Sequence, residues 1–210
     1  MIEIQRITDI QRHLDGLKAI IFDLDDTLYS EKEYVKSGYA AVAQELPNVK
    51  NAAEKLWKAF LKKKPAIDEL LYSENIYSEE LKQKCLKAYR YHYPDIHLYD
   101  NVKEMLTLLH QKGFLIGIIT DGRFEGQRAK IRSLGLQLMA DEIIITDEIG
   151  GVECRKPNEK AFVLMRERMK VKFSEMCYVG DNINKDFIAP EKLGMKTFFI
   201  KNPNGLYTVC

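Results

Sequence analysis

The sequence predicts an α/β fold, a parallel β-sheet covered by helices on both faces, on three observations. Short apolar runs recur along the chain: AIIF at 19–22, FLIGIIT at 114–120, EIIIT at 142–146, MCYVG at 176–180 and KTFFI at 196–200. Runs this continuously apolar suit strands buried on both faces. Segments of helical periodicity separate them, the alternation expected of strand, helix and strand units. The 210 residues, 46% of them hydrophobic, suffice for one substantial core with a smaller insert.

Taken in order, AIIF is the first strand, and about 90 residues separate it from the second, far more than one crossover helix needs. This interval holds the helical segments YVKSGYAAVAQEL, NAAEKLWKAFLKKK and SEELKQKCLKAYRYHY, with Pro65 and Pro94 as breaks. Residues 30–98 are therefore expected to form an inserted helical domain, with residues 1–29 and 99–210 forming the core domain. Nine of the eleven tyrosines fall between Tyr29 and Tyr99. Helix packing with hydroxyls at a wet rim accounts for most of them, and contact with a substrate is the alternative.

NVKEMLTLLHQKG sets Val102, Met105, Leu106 and Leu109 at helical spacing and stops at Gly113, so it is the helix that feeds the second strand. RFEGQRAKIRSLGL and PNEKAFVLMRERMK read as further helices, the latter with Pro157 at its first helical position. The chain shows no internal repeat and no low-complexity segment.

Composition excludes several function classes. Lysine and arginine number 32 against 31 aspartates and glutamates, spread along the chain, so nothing calls for nucleic acid or an acidic membrane surface. The charged start MIEIQRITDIQRHLDGL lacks the apolar stretch of a secretory signal, and no apolar run approaches the ~20 residues that span a bilayer, so a cytoplasmic protein is expected. Cys85, Cys154, Cys177 and Cys210 have neither CxxC spacing nor histidines placed as zinc ligands, and are expected to be free thiols.

The chemistry is concentrated where the strands end. In DLDDT, Asp23 and Asp25 lie two residues apart, so an extended backbone can present both carboxylates to one cavity while Leu24 faces away. In an open parallel sheet, ligands bind at the carboxyl ends of the strands. ITDG offers the Thr120 hydroxyl and the Gly122 N–H, both able to hold a phosphate oxygen. RKP supplies Lys156, and YVGDNINKD brings Asp181 and Asp186. Taken singly, each is an ordinary acidic strand end, turn or surface charge, but this fold brings all four segments to one edge of one sheet. Carboxylates ~4 Å apart repel by about 4 kcal/mol at an effective dielectric near 20, so their convergence requires cations. Lys156 and Mg²⁺ are the natural ones, because the donors are hard oxygens without sulfur or imidazole.

The ordered set DLDDT, ITDG, KP and GDNINKD resembles the four motifs of the haloacid dehalogenase-like hydrolase superfamily, and the helical insert resembles its type 1 cap. The resemblance spans essentially the whole chain. It implies a Rossmann-like core with a mobile cap and a Mg²⁺-dependent phosphatase that passes through an aspartyl-phosphate, acting on a small phosphorylated metabolite. Asp23 would be the nucleophile and Asp25 the general acid and base. Thr120, Asp121, Gly122 and Lys156 would form the substrate and phosphate site. Asp23, the carbonyl of Asp25, Asp181 and Asp186 would bind the metal, Asp186 either directly or through water. Lys156 is expected to stabilise charge in the reaction with little bearing on the fold. One departure stands out: the second motif often has asparagine or another neutral residue where this chain has Asp121, and a negative charge there is unhelpful unless it points away from the phosphate or binds a substrate hydroxyl.

Other readings are weighed against this one. Dehalogenases lack the second aspartate, which is present here. A phosphomutase or other phosphotransferase shares the first half-reaction and differs in what meets the phosphoaspartate. A phospho-accepting signalling receiver is smaller and has no large insert after its first strand. A non-catalytic descendant would have lost one of Asp23, Asp25 or Lys156, and all three remain.

Overall fold

A computed structural model describes residues 1–206. Six strands form one sheet: β1 (Ile2–Ile4), β2 (Ala19–Phe22), β3 (Leu115–Thr120), β4 (Glu142–Ile145), β5 (Met176–Gly180) and β6 (Lys196–Ile200). They are ordered β1-β6-β5-β2-β3-β4, and every pairing is parallel. This is the α/β fold expected, with the five apolar runs forming β2 to β6. The sequence reading missed β1, whose three residues pair only with β6 and bury a single side chain, Ile4.

Eight α-helices occur among the described residues: α1 (Glu31–Gln44), α2 (Ala52–Leu61), α3 (Ala66–Ser73), α4 (Glu79–Tyr91), α5 (Val102–Gln111), α6 (Phe124–Ser133), α7 (Lys160–Met169) and α8 (Ile188–Lys192). The chain divides into two compact units, residues 1–31 with 97–210, and residues 32–96. None of the helices is long and apolar enough to cross a membrane.

In the sheet unit, Ala161, Phe162 and Met165 of α7 join Ile21, Ile119, Ile144 and Tyr178 of four neighbouring strands in one buried cluster. Each such side chain contributes about 1.5–3 kcal/mol of burial, which is why the apolar runs dominate the sequence signal. Pro157 does not open α7. The helix starts at Lys160, whose N–H donates to Asn158 Oδ1 at 2.8 Å, after a turn in which Asn158 N donates to Arg155 O at 2.9 Å. The Asn158 side chain closes the turn just ahead of this helix, and the proline ring lies in that preceding loop.

In the helical unit, Pro65 precedes α3, a helix the sequence reading left unassigned, and Leu56, Leu70, Leu71 and Cys85 are buried. The tyrosines here largely pack on one another. Tyr89 lies against Tyr34, Tyr39 and His92, and Tyr72 stacks on Tyr77, while Tyr91 and Tyr93 are exposed. Cys85, Cys154 and Cys177 are free and buried; Cys210 lies outside the described residues.

The topology fixes where a site can form. From β2 the chain proceeds to β3 and β4 on one side, then returns to β5 and β6 on the other. A reversal of this kind leaves a crevice at the carboxyl ends of the strands on either side of it. Phe22 lies level with Ile118 and Val179, so Asp23, Thr120 and Asp181 leave three adjacent strands at nearly the same height.

Candidate active site

Asp23 is held in line with β5 by its N–H, which donates to Val179 O at 2.8 Å. Its Oδ1 accepts from Lys156 Nζ at 2.5 Å. Lys156 reaches in from the loop after β4, and its ammonium also meets Asp186 Oδ1 at 2.8 Å and donates to Tyr178 Oη at 2.8 Å. Burial works against the charge on Lys156, but Asp186 and Asp23 outweigh it and hold its pKa well above the usual lysine value. The sequence expectation gave Lys156 little bearing on the fold, yet its side chain is fully buried and, among the described residues, is the cation that meets both Asp23 and Asp186 at hydrogen-bonding distance.

Asp23, Asp181 and Asp186 each offer a carboxylate oxygen, all within 4.8 Å of one another. Burial, partly offset by Lys156 and reinforced by Asp186, raises Asp23 to about 7. Burial together with Asp23 and Asp186 raises Asp181 to about 8. Three carboxylates converging this closely, with no sulfur or imidazole among them, suit a hard divalent cation such as Mg²⁺. Asp186 folds back over its own loop to accept from Asn182 N at 2.9 Å. A Cβ on Gly180 would come within 2.5 Å of Asp186 Oδ2, so the glycine before Asp181 is what admits the third carboxylate.

The Asp25 carboxylate has other neighbours. Lys130 Nζ donates to its Oδ1 at 2.7 Å, the Tyr29 hydroxyl donates to the same oxygen, and Gln127 Nε2 donates to its Oδ2 at 2.9 Å. Burial is opposed and outweighed by Lys130 and these hydrogen bonds, so Asp25 lies below the usual carboxylate range. The same Gln127 amide donates to Thr120 Oγ1. Its N–H₂ must face both, since an ionised carboxylate only accepts. Thr120 thus keeps its own O–H to give. Gly122, with φ +132°, makes the turn that follows β3, a conformation open to glycine.

The third aspartate of DLDDT is structural. Asp26 accepts from Glu31 N at 2.9 Å, at the start of α1, and from Leu206 N at 2.7 Å. Glu31 itself is raised to about 8 by burial and by Asp25.

The Asp121 carboxylate is held by protein partners on both oxygens. Its Oδ1 accepts from Lys156 N at 3.0 Å and Thr146 Oγ1 at 3.1 Å, and its Oδ2 accepts from Lys185 Nζ at 2.9 Å. Burial is outweighed by Lys156 and Lys185, and Asp121 stays below the usual carboxylate range. The extra negative charge is consumed in joining three loops.

The structure thus brings Asp23, Lys156, Asp181 and Asp186 into one cluster and places Asp25 with Thr120 through Gln127. The side chain of Asp25 is not among the three clustered carboxylates. Sequence reasoning missed Lys130, Gln127, Tyr29, Tyr178 and Lys185. One signal was present for two of them: the inward stripe of α6 reads Gln127, Lys130, Ile131, so polar residues occupy positions where a packing helix carries apolar ones.

Known proteins resemble this chain in sequence and fold. The family profile described as haloacid dehalogenase-like hydrolase matches residues 20–200. A phosphoglycolate phosphatase of Vibrio parahaemolyticus is 30% identical, over 87% of this chain and 82% of its own. A glyceraldehyde 3-phosphate phosphatase of Methanopyrus kandleri is 29% identical, over 88% of this chain and 84% of its own. Among solved structures, a HAD-hydrolase of Bacillus subtilis bound to magnesium superposes with a TM-score of 0.63 at 21% identity, covering 87% of this chain and 86% of that one.

Proposed function

The chain belongs to the haloacid dehalogenase-like hydrolase family, and from that premise we propose that it is a Mg²⁺-dependent phosphatase of a small phosphorylated metabolite, working through an aspartyl-phosphate on Asp23. The observation that carries the reading is the sealed pair of Asp23 and Lys156 beside Asp181 and Asp186. The relatives named for phosphoglycolate and glyceraldehyde 3-phosphate favour short phosphorylated acids and sugars as substrates. Such substrates also suit the cytoplasmic location expected from the sequence.

In this mechanism a carboxylate oxygen of Asp23 attacks phosphorus in line with the leaving oxygen, and the P–O bond to the substrate breaks. Thr120 O–H and the Gly122 N–H hold phosphoryl oxygens, and Lys156 offsets the charge that Asp23 and the phosphoryl group share. Asp25 gives a proton to the leaving oxygen and later takes one from the water that cleaves the acyl-phosphate. Because Asp25 rests ionised, its first proton arrives with the substrate, whose phosphoryl group has a second pKa of about 6. Asp23, Asp181, Asp186 and the Asp25 carbonyl would hold Mg²⁺, which when bound supplies electrostatic stabilisation of phosphoryl charge. The helical unit of residues 32–96 would act as a type 1 cap that selects among phosphate esters.

The test is phosphate release from phosphoglycolate, glyceraldehyde 3-phosphate, further sugar phosphates and an aryl phosphate, with Mg²⁺ and with EDTA. Turnover that needs Mg²⁺ and disappears in Asp23→Asn is the expected result. Ordinary turnover in Asp23→Asn, or none in the wild type with any phosphate ester, would overturn the proposal.

A further inference from the structure

We infer that Lys130, with Gln127 one helical turn before it, is a positioning residue for the proton-transfer step, acting through Asp25; the inference rests on the phosphatase reading above. The two side chains project from one face of α6, as residues three apart do. Both are buried, though neither residue type is ordinarily found on the inward face of a packing helix. What they meet there is Asp25. Lys130 Nζ lies 2.7 Å from Oδ1, its side chain 5% exposed, and Gln127 Nε2 lies 2.9 Å from Oδ2 while also reaching Thr120 Oγ1.

The contacts divide the work of the carboxylate between its two oxygens. Each carboxylate oxygen accepts about two hydrogen bonds. Oδ1 already takes Lys130 and the Tyr29 hydroxyl, so its capacity is filled. Oδ2 takes Gln127 alone among these donors and keeps room for one more. Oδ2 is therefore the oxygen that carries the proton to the leaving group and receives it back from water, and Gln127 sets it on the same side as the Thr120 hydroxyl. Lys130 prevents the carboxylate from rotating or from joining the nearby cluster of Asp23, Asp181 and Asp186. Neither Lys130 nor Gln127 touches the reacting atoms in this scheme.

A residue that acts only through the acid should matter in proportion to how much the leaving oxygen needs a proton. Steady-state kinetics of Lys130→Met in the presence of Mg²⁺ on an alkyl phosphate and on an aryl phosphate test this. The expected result is a fall in kcat of ~10²-fold or more on the alkyl ester, the scale of a lost acid–base group. The aryl ester, whose oxygen leaves unaided, should lose under about 10-fold, with KM little changed on either. Lys130→Arg, which keeps the ion pair, should restore most of the alkyl activity. Since Lys130→Met leaves Asp25 buried without its cation and can fail to fold, the double variant Asp25→Asn with Lys130→Met is measured alongside. It should be no slower than Asp25→Asn alone, to within about threefold. Equal losses on both esters, or a double variant much slower than Asp25→Asn, would overturn the inference and leave the phosphatase reading standing. No turnover of either ester by the wild type would overturn that reading and the inference with it.

Discussion

Lys156 Nζ lies 2.5 Å from Asp23 Oδ1, and both side chains are closed to solvent. A contact this short between buried opposite charges is stable only while each has the other, because removing one partner strands the other in a medium that solvates it poorly.

Lys156→Ala should therefore damage two properties at once. Turnover should fall by ~10²–10³-fold, the scale of losing one electrostatic stabiliser of a transition state. The metal-free protein should also lose about 3–5 kcal/mol of stability, since Asp23 and Asp186 are left buried without their cation. Urea denaturation in EDTA and phosphate release with Mg²⁺ measure the two separately. A variant as stable as the wild type would show that the pair contributes to chemistry alone.

The clustered carboxylates predict an unusual dependence of stability on pH. Asp181 is raised from 3.8 to about 8, so the folded protein holds a proton that the unfolded chain releases. That contribution is complete below about pH 4 and is lost as pH rises through about 8. In EDTA the melting temperature should accordingly fall across this range more steeply for the wild type than for Asp181→Asn. Mg²⁺ should remove most of the difference and release protons on binding, which a pH-stat can count. Parallel pH profiles for the two proteins would refute the assignment.

Asp121 and Lys185 should behave as one unit. The Asp121 carboxylate accepts from Lys185 Nζ at 2.9 Å and from the Lys156 N–H at 3.0 Å, so it sets one lysine through its side chain and the other through its backbone. A double-mutant cycle of Asp121→Asn and Lys185→Met on kcat/KM should give a coupling of about 1–2 kcal/mol, typical of residues in direct contact. Additive effects would mean that Lys185 acts independently of Asp121.

The sequence by itself determined the α/β class, five of the six strands and the family. Five buried strands announce themselves through runs such as AIIF and MCYVG, because a strand covered on both faces has little use for polar residues. Asp23, Thr120, Lys156 and Asp181 are legible because the topology of an open parallel sheet dictates where strand ends meet. β1 escaped because three residues carry no pattern, and α8 because five residues, one of them Pro190, carry no helical period. Only the tertiary structure decided how three adjacent-looking aspartates divide their work. Asp23 turns to Lys156, Asp25 to Lys130 and Gln127, and Asp26 to Glu31 N and Leu206 N. It also showed Asp121, where the sequence departs from its family's motif, bonded to the side chain of one lysine and the backbone of another. The physical reason is distance along the chain: Lys130 and Asp25 are 105 residues apart and Lys156 and Asp23 are 133 apart, so no local pattern records their pairing. What a buried charge does depends on which opposite charge the fold brings within reach of it.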